Sequence, residues 1–211
     1  MIIAIDGPAA AGKGTLSCLL AKHYGLAWLE TGGLYRAVAL KMLRNGIAPA
    51  NRKAASEAAQ LINASELDDP ELKTESVGQT ASQVAAIPEV REALVCFQRS
   101  FALSPPGGAP GAVLDGRDIG TIVCPDADFK VYITATLEAR AHRRFLELCE
   151  KGDKISEQEV LALTCERDAR DTNRGISPLK PADDAYLLDT TNLSIDAAFA
   201  ALKTYISGSS D

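Results

Sequence analysis

The apolar run Ile2-Ile3-Ala4-Ile5 leads straight into Gly7-Pro8-Ala9-Ala10-Ala11-Gly12-Lys13-Gly14-Thr15, and a helical pattern begins from about Gly12. Strand, small-residue loop and helix start follow one another without a gap, which leaves few folds open. Small residues let backbone N–H groups converge on one point. Lys13 adds a positive charge there, and the new helix aims the positive end of its dipole at the same place. The spacing predicts a cradle for the phosphates of a nucleoside triphosphate, lined by residues 7–15. Gly14 stands where a hydroxyl residue usually follows the lysine, and the hydroxyl comes one place later at Thr15. A hydroxyl directly after the lysine is the usual inner-sphere Mg²⁺ ligand of switch and motor enzymes. Its displacement predicts that Mg²⁺ is held largely by phosphates and water, with Thr15 and Asp115 as partners through water. Ala10, at a place often taken by glycine, is expected to adopt a negative φ.

The pattern after the loop alternates helix and strand. A helix runs to about Tyr24 and stops near Gly25, with His23 near its negative end, and residues 26–29 make a short strand ending at Glu30-Thr31-Gly32-Gly33. Residues 34–45 form a second helix closed by Gly46, a natural left-handed cap. Residues 51–79 are rich in Ala, Glu, Asp and Ser and only weakly periodic, and the first part is predicted helical. From Thr80 to Leu103 the spacing is helical, broken at Ile87-Pro88. Two buried strands follow at 112–114 and 129–133, then helices over 137–151 and from the capping box Ser156-Glu157-Gln158-Glu159 to about Asp171. Tyr186-Leu187-Leu188 reads as a last strand and 195–206 as the closing helix, with Ser207 to Asp211 a frayed tail. Five short strands separated by helices predict an α/β fold in one domain, a parallel sheet with helices on both faces. Ligands of such sheets sit beyond the carboxyl ends of the strands.

Composition narrows the function. The chain has 211 residues, 46% of them hydrophobic, enough for one sizeable core, and no run approaches the ~18 apolar residues of a membrane span. A strand starting at Ile2 leaves no room for a leader, so no export is expected. Five cysteines without C-x-x-C spacing suggest neither disulfides nor zinc and fit a reducing cytoplasm. A net charge of −6 argues against nucleic acid as the main partner, and the absence of an apolar stripe points to a monomer.

Polar clusters fall at the strand ends, where a second substrate would lie. Thr31-Gly32-Gly33-Leu34-Tyr35-Arg36 follows the second strand, Asp115-Gly116-Arg117-Asp118 the third, and Thr134 the fourth. Charges directly after a buried strand are costly unless they meet partners. Six of the twelve arginines, Arg140, Arg143, Arg144, Arg167, Arg170 and Arg174, fall in one stretch of this acidic chain. At helical spacing each set of three shares a face. They read either as solvated faces laced by Glu138, Glu147, Glu166, Asp168 and Asp171, or, beside a phosphate loop, as a lid closing over polyphosphate. On the second reading the catalytic groups are Lys13, Arg140, Arg143, Arg144 and Arg170, which neutralise charge spread over the transferring phosphoryl group.

Gly12-Lys13-Gly14-Thr15 resembles the loop of nucleoside monophosphate kinases. Ile5-Asp6-Gly7-Pro8, Thr31 to Ala37, Ser82-Gln83-Val84-Ala85, Pro88-Glu89-Val90-Arg91, Asp115 to Thr121 and Glu166 to Asp171 resemble, in order, the successive motifs of bacterial cytidylate kinases. The resemblance implies phosphoryl transfer from ATP, with Mg²⁺, to CMP or dCMP on a P-loop core. An acceptor-binding insertion would span about 47–80 and a lid about 145–175. It implies that Thr31, Tyr35, Arg36 and Arg117 hold the acceptor nucleotide. Ser82, Arg91, Asp118 and Arg174 would read the base, and Arg167 and Asp171 contact the sugar. An aspartate accepting from cytosine N4 beside arginines donating to N3 and O2 would fit CMP and mismatch UMP. The stretch 47–79 is shorter than in better-known members and lacks the alternation of their small antiparallel sheet, so a mostly helical insertion is expected.

Rival readings are a kinase for UMP, AMP or an alcohol, for which Asp6 or Asp118 could serve as base, and a nucleotide-dependent switch. The Asn-Lys-x-Asp sequence that would read guanine in such a switch does not occur.

Overall fold

The computed structural model describes residues 1–208; the end of the expected frayed tail, residues 209–211, lies outside the described residues. The elements are β1 Ile2–Asp6, α1 Lys13–Tyr24, β2 Ala27–Glu30, α2 Thr31–Arg44, α3 Arg52–Gln60, α4 Glu75–Val84, α5 Pro88–Leu103, β3 Ala112–Asp115, β4 Phe129–Thr134, α6 Leu137–Glu150, α7 Glu157–Asn173, β5 Tyr186–Asp189 and α8 Ile195–Gly208. The five strands form one parallel sheet in the order β2-β3-β1-β4-β5, with Ile3 opposite both Val113 and Phe129.

Strand alternation divides the core into two layers. Ala4, Ala112, Leu114 and Leu29 face a layer built from α2, α3, α4 and α5, which includes Leu34, Val38, Val84, Val90 and Leu94. Ile3, Ile5, Val113, Val131 and Ile133 face the other way, onto Leu16 and Leu20 of α1 and Leu202 and Ile206 of α8. A third, small cluster of Ala141, Leu148 and Val160 ties α6 to α7 as a helical hairpin.

Most sequence expectations hold. Gly25 and Gly46 close their helices at φ +65°, and the box at Ser156 and Glu159 opens α7. His23 lies in the last turn of α1, whose first turn carries no acidic residue. α2 starts at Thr31, three residues earlier than its apolar spacing suggests, because Gly32 and Gly33 are taken into its first turn. α4 starts at Glu75 instead of Thr80. Between α3 and α4 the chain makes short 3₁₀ turns at Ala64–Asp68 and Pro70–Lys73, so residues 47–79 are largely helical, without a strand among the described residues. No helix among the described residues is long and apolar enough to cross a membrane. All five cysteines are free.

Candidate active site

The carboxyl ends of β2 and β3 and the N-terminus of α1 open onto one cavity of about 870 Å³. Residues 9–15 of the glycine-rich loop form one wall. Gly7 enters the loop at φ +142°, and a Cβ there would stand 1.9 Å from the Ile133 carbonyl oxygen, so only glycine lets the loop pass β4 this closely. Three loop carbonyls are each taken by a side-chain donor. Lys13 Nζ donates to the Pro8 oxygen at 2.6 Å, Arg140 Nη1 to Ala9 at 3.3 Å and Thr190 Oγ1 to Ala11 at 3.0 Å.

Between these tethers Ala10 corrects the expectation made for it: its φ is +58°, in the left-handed region. A left-handed residue turns successive N–H groups to one side, which an anion cradle needs. With a Cβ it costs about 1–2 kcal/mol. Lys13 is buried, and its ammonium is held well below the usual lysine range by burial first and then by the Arg117 guanidinium, against the pull of Asp115.

Two buried carboxylates stand at the carboxyl ends of β1 and β3. Both oxygens of Asp6 accept backbone N–H groups at 2.8 Å, from Ile119 and Gly120, and anchor the π-helical turn Ile119–Val123. Burial raises the Asp6 carboxyl to about 6 despite these hydrogen bonds. Asp115 Oδ2 accepts from Trp28 Nε1 at 2.7 Å, and its carboxyl is likewise raised to about 6, chiefly by burial. The Thr31 hydroxyl donates to the Asp115 carbonyl at 2.8 Å, so it joins α2 to β3. Gly116 is fixed by that contact, since a Cβ there would meet Thr31 Oγ1 at 2.6 Å.

Arg36, Arg117, Arg143, Arg144 and Arg167 line the same cavity as the loop. Arg36 donates to the Leu72 carbonyl at 2.7 Å, Arg117 Nε to Asp171 at 2.9 Å, and Arg143 to the Thr190 oxygens. Arg144 grips Glu75 Oε2 at 2.6 Å. The Arg167 Nε is buried without a hydrogen-bond partner among the described residues. Burial, and then Arg117, lower Arg167 to about 10. Crowded, desolvated cations of this kind favour the binding of a polyanion.

Other predicted residues lie differently. Arg140 is buried and bonded to Ala135, Ala9 and Asp168, so it stands behind the cradle and does not line the cavity. Arg170 also lies off the cavity lining and donates to Gln79. Tyr35, Arg91, Asp118 and Arg174 gather in a second cluster. The Arg91 guanidinium stands 5.4 Å from the Tyr35 ring centroid and pairs with Asp118 Oδ2, while Arg174 Nη2 lies 3.9 Å from Asp118 Oδ1. Ser82 is buried on α4, and among the described residues its hydroxyl has no hydrogen-bond partner, nor do the Arg91 Nε and Arg174 Nη2. These polar groups are charged against one another and keep hydrogen-bonding capacity unspent.

Asp115, a buried carboxylate, and Thr15, an exposed hydroxyl, lie on the cavity wall beside the loop and could hold Mg²⁺ through water. Such a pair suits an ion that keeps most of its water and takes phosphate oxygens.

Sequence reasoning missed several supporting residues. Trp28 reads as a strand residue, yet its indole orients Asp115. Thr190 follows a strand without any motif. Glu75 and Gln79, spaced four apart on α4 and hydrogen-bonded to each other at 2.8 Å, carry a readable helical signal within a weakly patterned segment.

Comparison with known proteins gives the family. The cytidylate kinase model matches residues 3–207. The chain is 52% identical over 201 residues to a cytidylate kinase of Rhodospirillum rubrum, covering 95% of this chain and 94% of that one. It is 54% identical over 200 residues to a cytidylate kinase of Paramagnetospirillum magneticum, at 95% and 94% coverage. A crystal structure of an uncharacterized protein from Eubacterium ventriosum matches 98% of both chains with a TM-score of 0.57 at 14% identity, a likeness of fold alone. The phosphate loop, the acceptor-side strand ends and the arginine-bearing hairpin all fall inside the matched span, and the chain belongs to the cytidylate kinase family.

Proposed function

We infer that this protein transfers the γ-phosphoryl group of ATP to CMP or dCMP, giving ADP and CDP or dCDP. The family membership names the reaction class. The observation that carries the chemistry is the convergence of the loop 9–15 with five arginines on one cavity, one of them, Arg167, depressed to about 10 by burial and its neighbours.

The triphosphate lies in the loop, against Lys13, with its γ-phosphate toward the acceptor side of the cavity. The acceptor phosphate sits against Arg36 and Arg117; Thr31 supports that end from behind through its bond to the Asp115 carbonyl, and Tyr35 lies toward the base with Arg91 and Asp118. Arg143 and Arg144 draw near the polyphosphate from α6. Arg170 acts through its bond to Gln79 on the cavity wall. The acceptor phosphate, with a second pKa of about 6, is largely dianionic at neutral pH and attacks the γ-phosphorus without giving a proton to the enzyme. Its oxygen forms the new P–O bond as the bond to the β-phosphate oxygen breaks, and ADP leaves. Catalysis is positioning and charge neutralisation. When bound, Mg²⁺ supplies further neutralisation of the phosphate oxygens, with Thr15 and Asp115 holding its waters.

An alcohol acceptor would need a positioned base, and both carboxylates at hand are engaged. Asp6 accepts two backbone N–H groups and Asp118 is paired with Arg91. The cluster of Ser82, Arg91, Asp118 and Arg174 supports a base pocket for cytosine, with Asp118 accepting from N4 and the arginines donating to N3 and O2. The wrong base would leave buried groups unpaired, which discriminates strongly. Arg167 and Asp171 contact the sugar. Residues of about 47–80 form the acceptor side, and about 145–175 form a lid carried by the α6–α7 hairpin. A coupled assay of ADP formation across CMP, dCMP, UMP and AMP tests this. A much higher kcat/KM for CMP or dCMP is expected, and equal values across the bases would contradict the pocket.

A further inference from the structure

We propose that Arg140 and Asp168 are positioning residues that couple the two nucleotide sites, by tying the phosphate loop to helix α7 through a buried guanidinium. The proposal rests on the functional reading above and deepens it.

Arg140 is 5% exposed, and its donors are taken up by protein oxygens. Nε donates to Ala135 at 3.0 Å, Nη1 to Ala9 at 3.3 Å and to Asp168 Oδ1 at 3.1 Å, and Nη2 to Asp168 Oδ2 at 2.6 Å. The Ala135 bond fixes the guanidinium to the chain entering α6. The Ala9 bond reaches the loop directly before the left-handed Ala10. The paired bonds to Asp168 are the two-pronged geometry that a planar guanidinium offers and an ammonium does not.

α7 faces both substrates. Asp168 holds the back of the donor cradle, and Asp171, three residues on, pairs with Arg117 Nε at 2.9 Å at the acceptor side. Arg167, next to Asp168 on α7, lines the cavity with an Nε that has no hydrogen-bond partner among the described residues. A helix moves as a rigid element, so an acceptor that draws on Arg117 and Arg167 also sets where Asp168 stands. Asp168 in turn sets how firmly Arg140 holds Ala9 and the left-handed turn after it. Removing the carboxylate leaves a buried guanidinium half-partnered and the loop free of α7. Coupling of this kind is reciprocal: whatever ATP does for CMP affinity, CMP does for ATP.

The test is calorimetric titration of CMP into the whole protein, alone and saturated with Mg²⁺ and a non-hydrolysable ATP analogue. In the unsubstituted protein, CMP is expected to bind at least about fivefold more tightly with the analogue present. In Asp168→Asn, whose side chain has the same shape, that ratio is expected to fall to within about twofold of unity, while the affinity for CMP alone changes by less than about threefold. Arg140→Lys, which keeps the charge but loses the two-pronged bond, should lose the ratio in the same way. It stands as an independent test where Asp168→Asn melts early by circular dichroism. A merely structural role would lower the melting temperature and leave the ratio intact. An unchanged ratio in folded Asp168→Asn or Arg140→Lys, or a ratio of one in the unsubstituted protein, would overturn the proposal while leaving the kinase reading standing. Failure of the unsubstituted protein to bind CMP under either condition would overturn both.

Discussion

Ala10 and Asp6 show how single residues carry cost for the site. Ala10 at φ +58° is strained by its Cβ, and its neighbours' carbonyls are held so firmly that the strain persists. Ala10→Gly should relieve about 1–2 kcal/mol, offset by about 0.5–1 kcal/mol of extra unfolded-chain entropy. The net is about 0–1.5 kcal/mol, so calorimetry should find a melting temperature between that of the parent and about 6 °C above it; a marked fall would mean the alanine side chain has a packing role. The sequence identified this loop but not its dihedral, because the tethers on Ala9 and Ala11 come from residues 131 and 179 positions away. Asp6 is the second case. Its carboxyl is raised from 3.8 to about 6, so between those values the folded protein binds the proton more tightly than the unfolded chain. Its contribution to stability is full below about 3.8 and is lost as pH rises through about 6. A carboxyl-carbon NMR titration should place its midpoint near 6. A midpoint near 3.8 would remove this burial cost from the account.

Helices were legible in proportion to the strength of their local signals. Ser156 and Glu159 announce the start of α7, and the cap is made, with Glu159 N–H donating to Ser156 Oγ at 3.2 Å. α4 starts five residues before the Thr80 that its strong spacing marks, because its first turn, Glu75 to Gly78, carries one large apolar residue, Val77, among polar and small ones. Its buried face of Val77, Ala81 and Val84 has helical spacing. Gly78 in the same turn lies beside the Arg36 guanidinium, which a Cβ there would meet at 3.7 Å in ordinary van der Waals contact, a neighbour that sequence could not place. The α6–α7 hairpin rests on the small core of Ala141, Leu148 and Val160. Leu148→Ala should cost about 2–4 kcal/mol locally. Because the two main clusters do not include these residues, limited proteolysis should cut the hairpin before the sheet domain unfolds. Simultaneous loss of both would show that the hairpin is not a separate stability unit.

At the scale of the whole molecule, five parallel strands and a phosphate site at their carboxyl ends followed from alternation and one loop motif. Which arginine does what did not follow, because partners come from far away in the chain. Arg144 meets Glu75 at a separation of 69 residues, Arg117 meets Asp171 at 54, and Arg140 reaches back 131 residues to Ala9. The arginine-rich stretch thus divides into groups facing the cavity and groups that brace it. On the proposed function, two anionic substrates are drawn together across one cavity, with Arg117 on the acceptor side and the glycine-rich loop on the donor side. The most direct measurement is kcat/KM for CMP in Arg117→Ala beside the binding constant for ATP. The account predicts a loss of about 10³ or more in kcat/KM with ATP affinity changed less than about threefold; normal CMP turnover in that variant would contradict it.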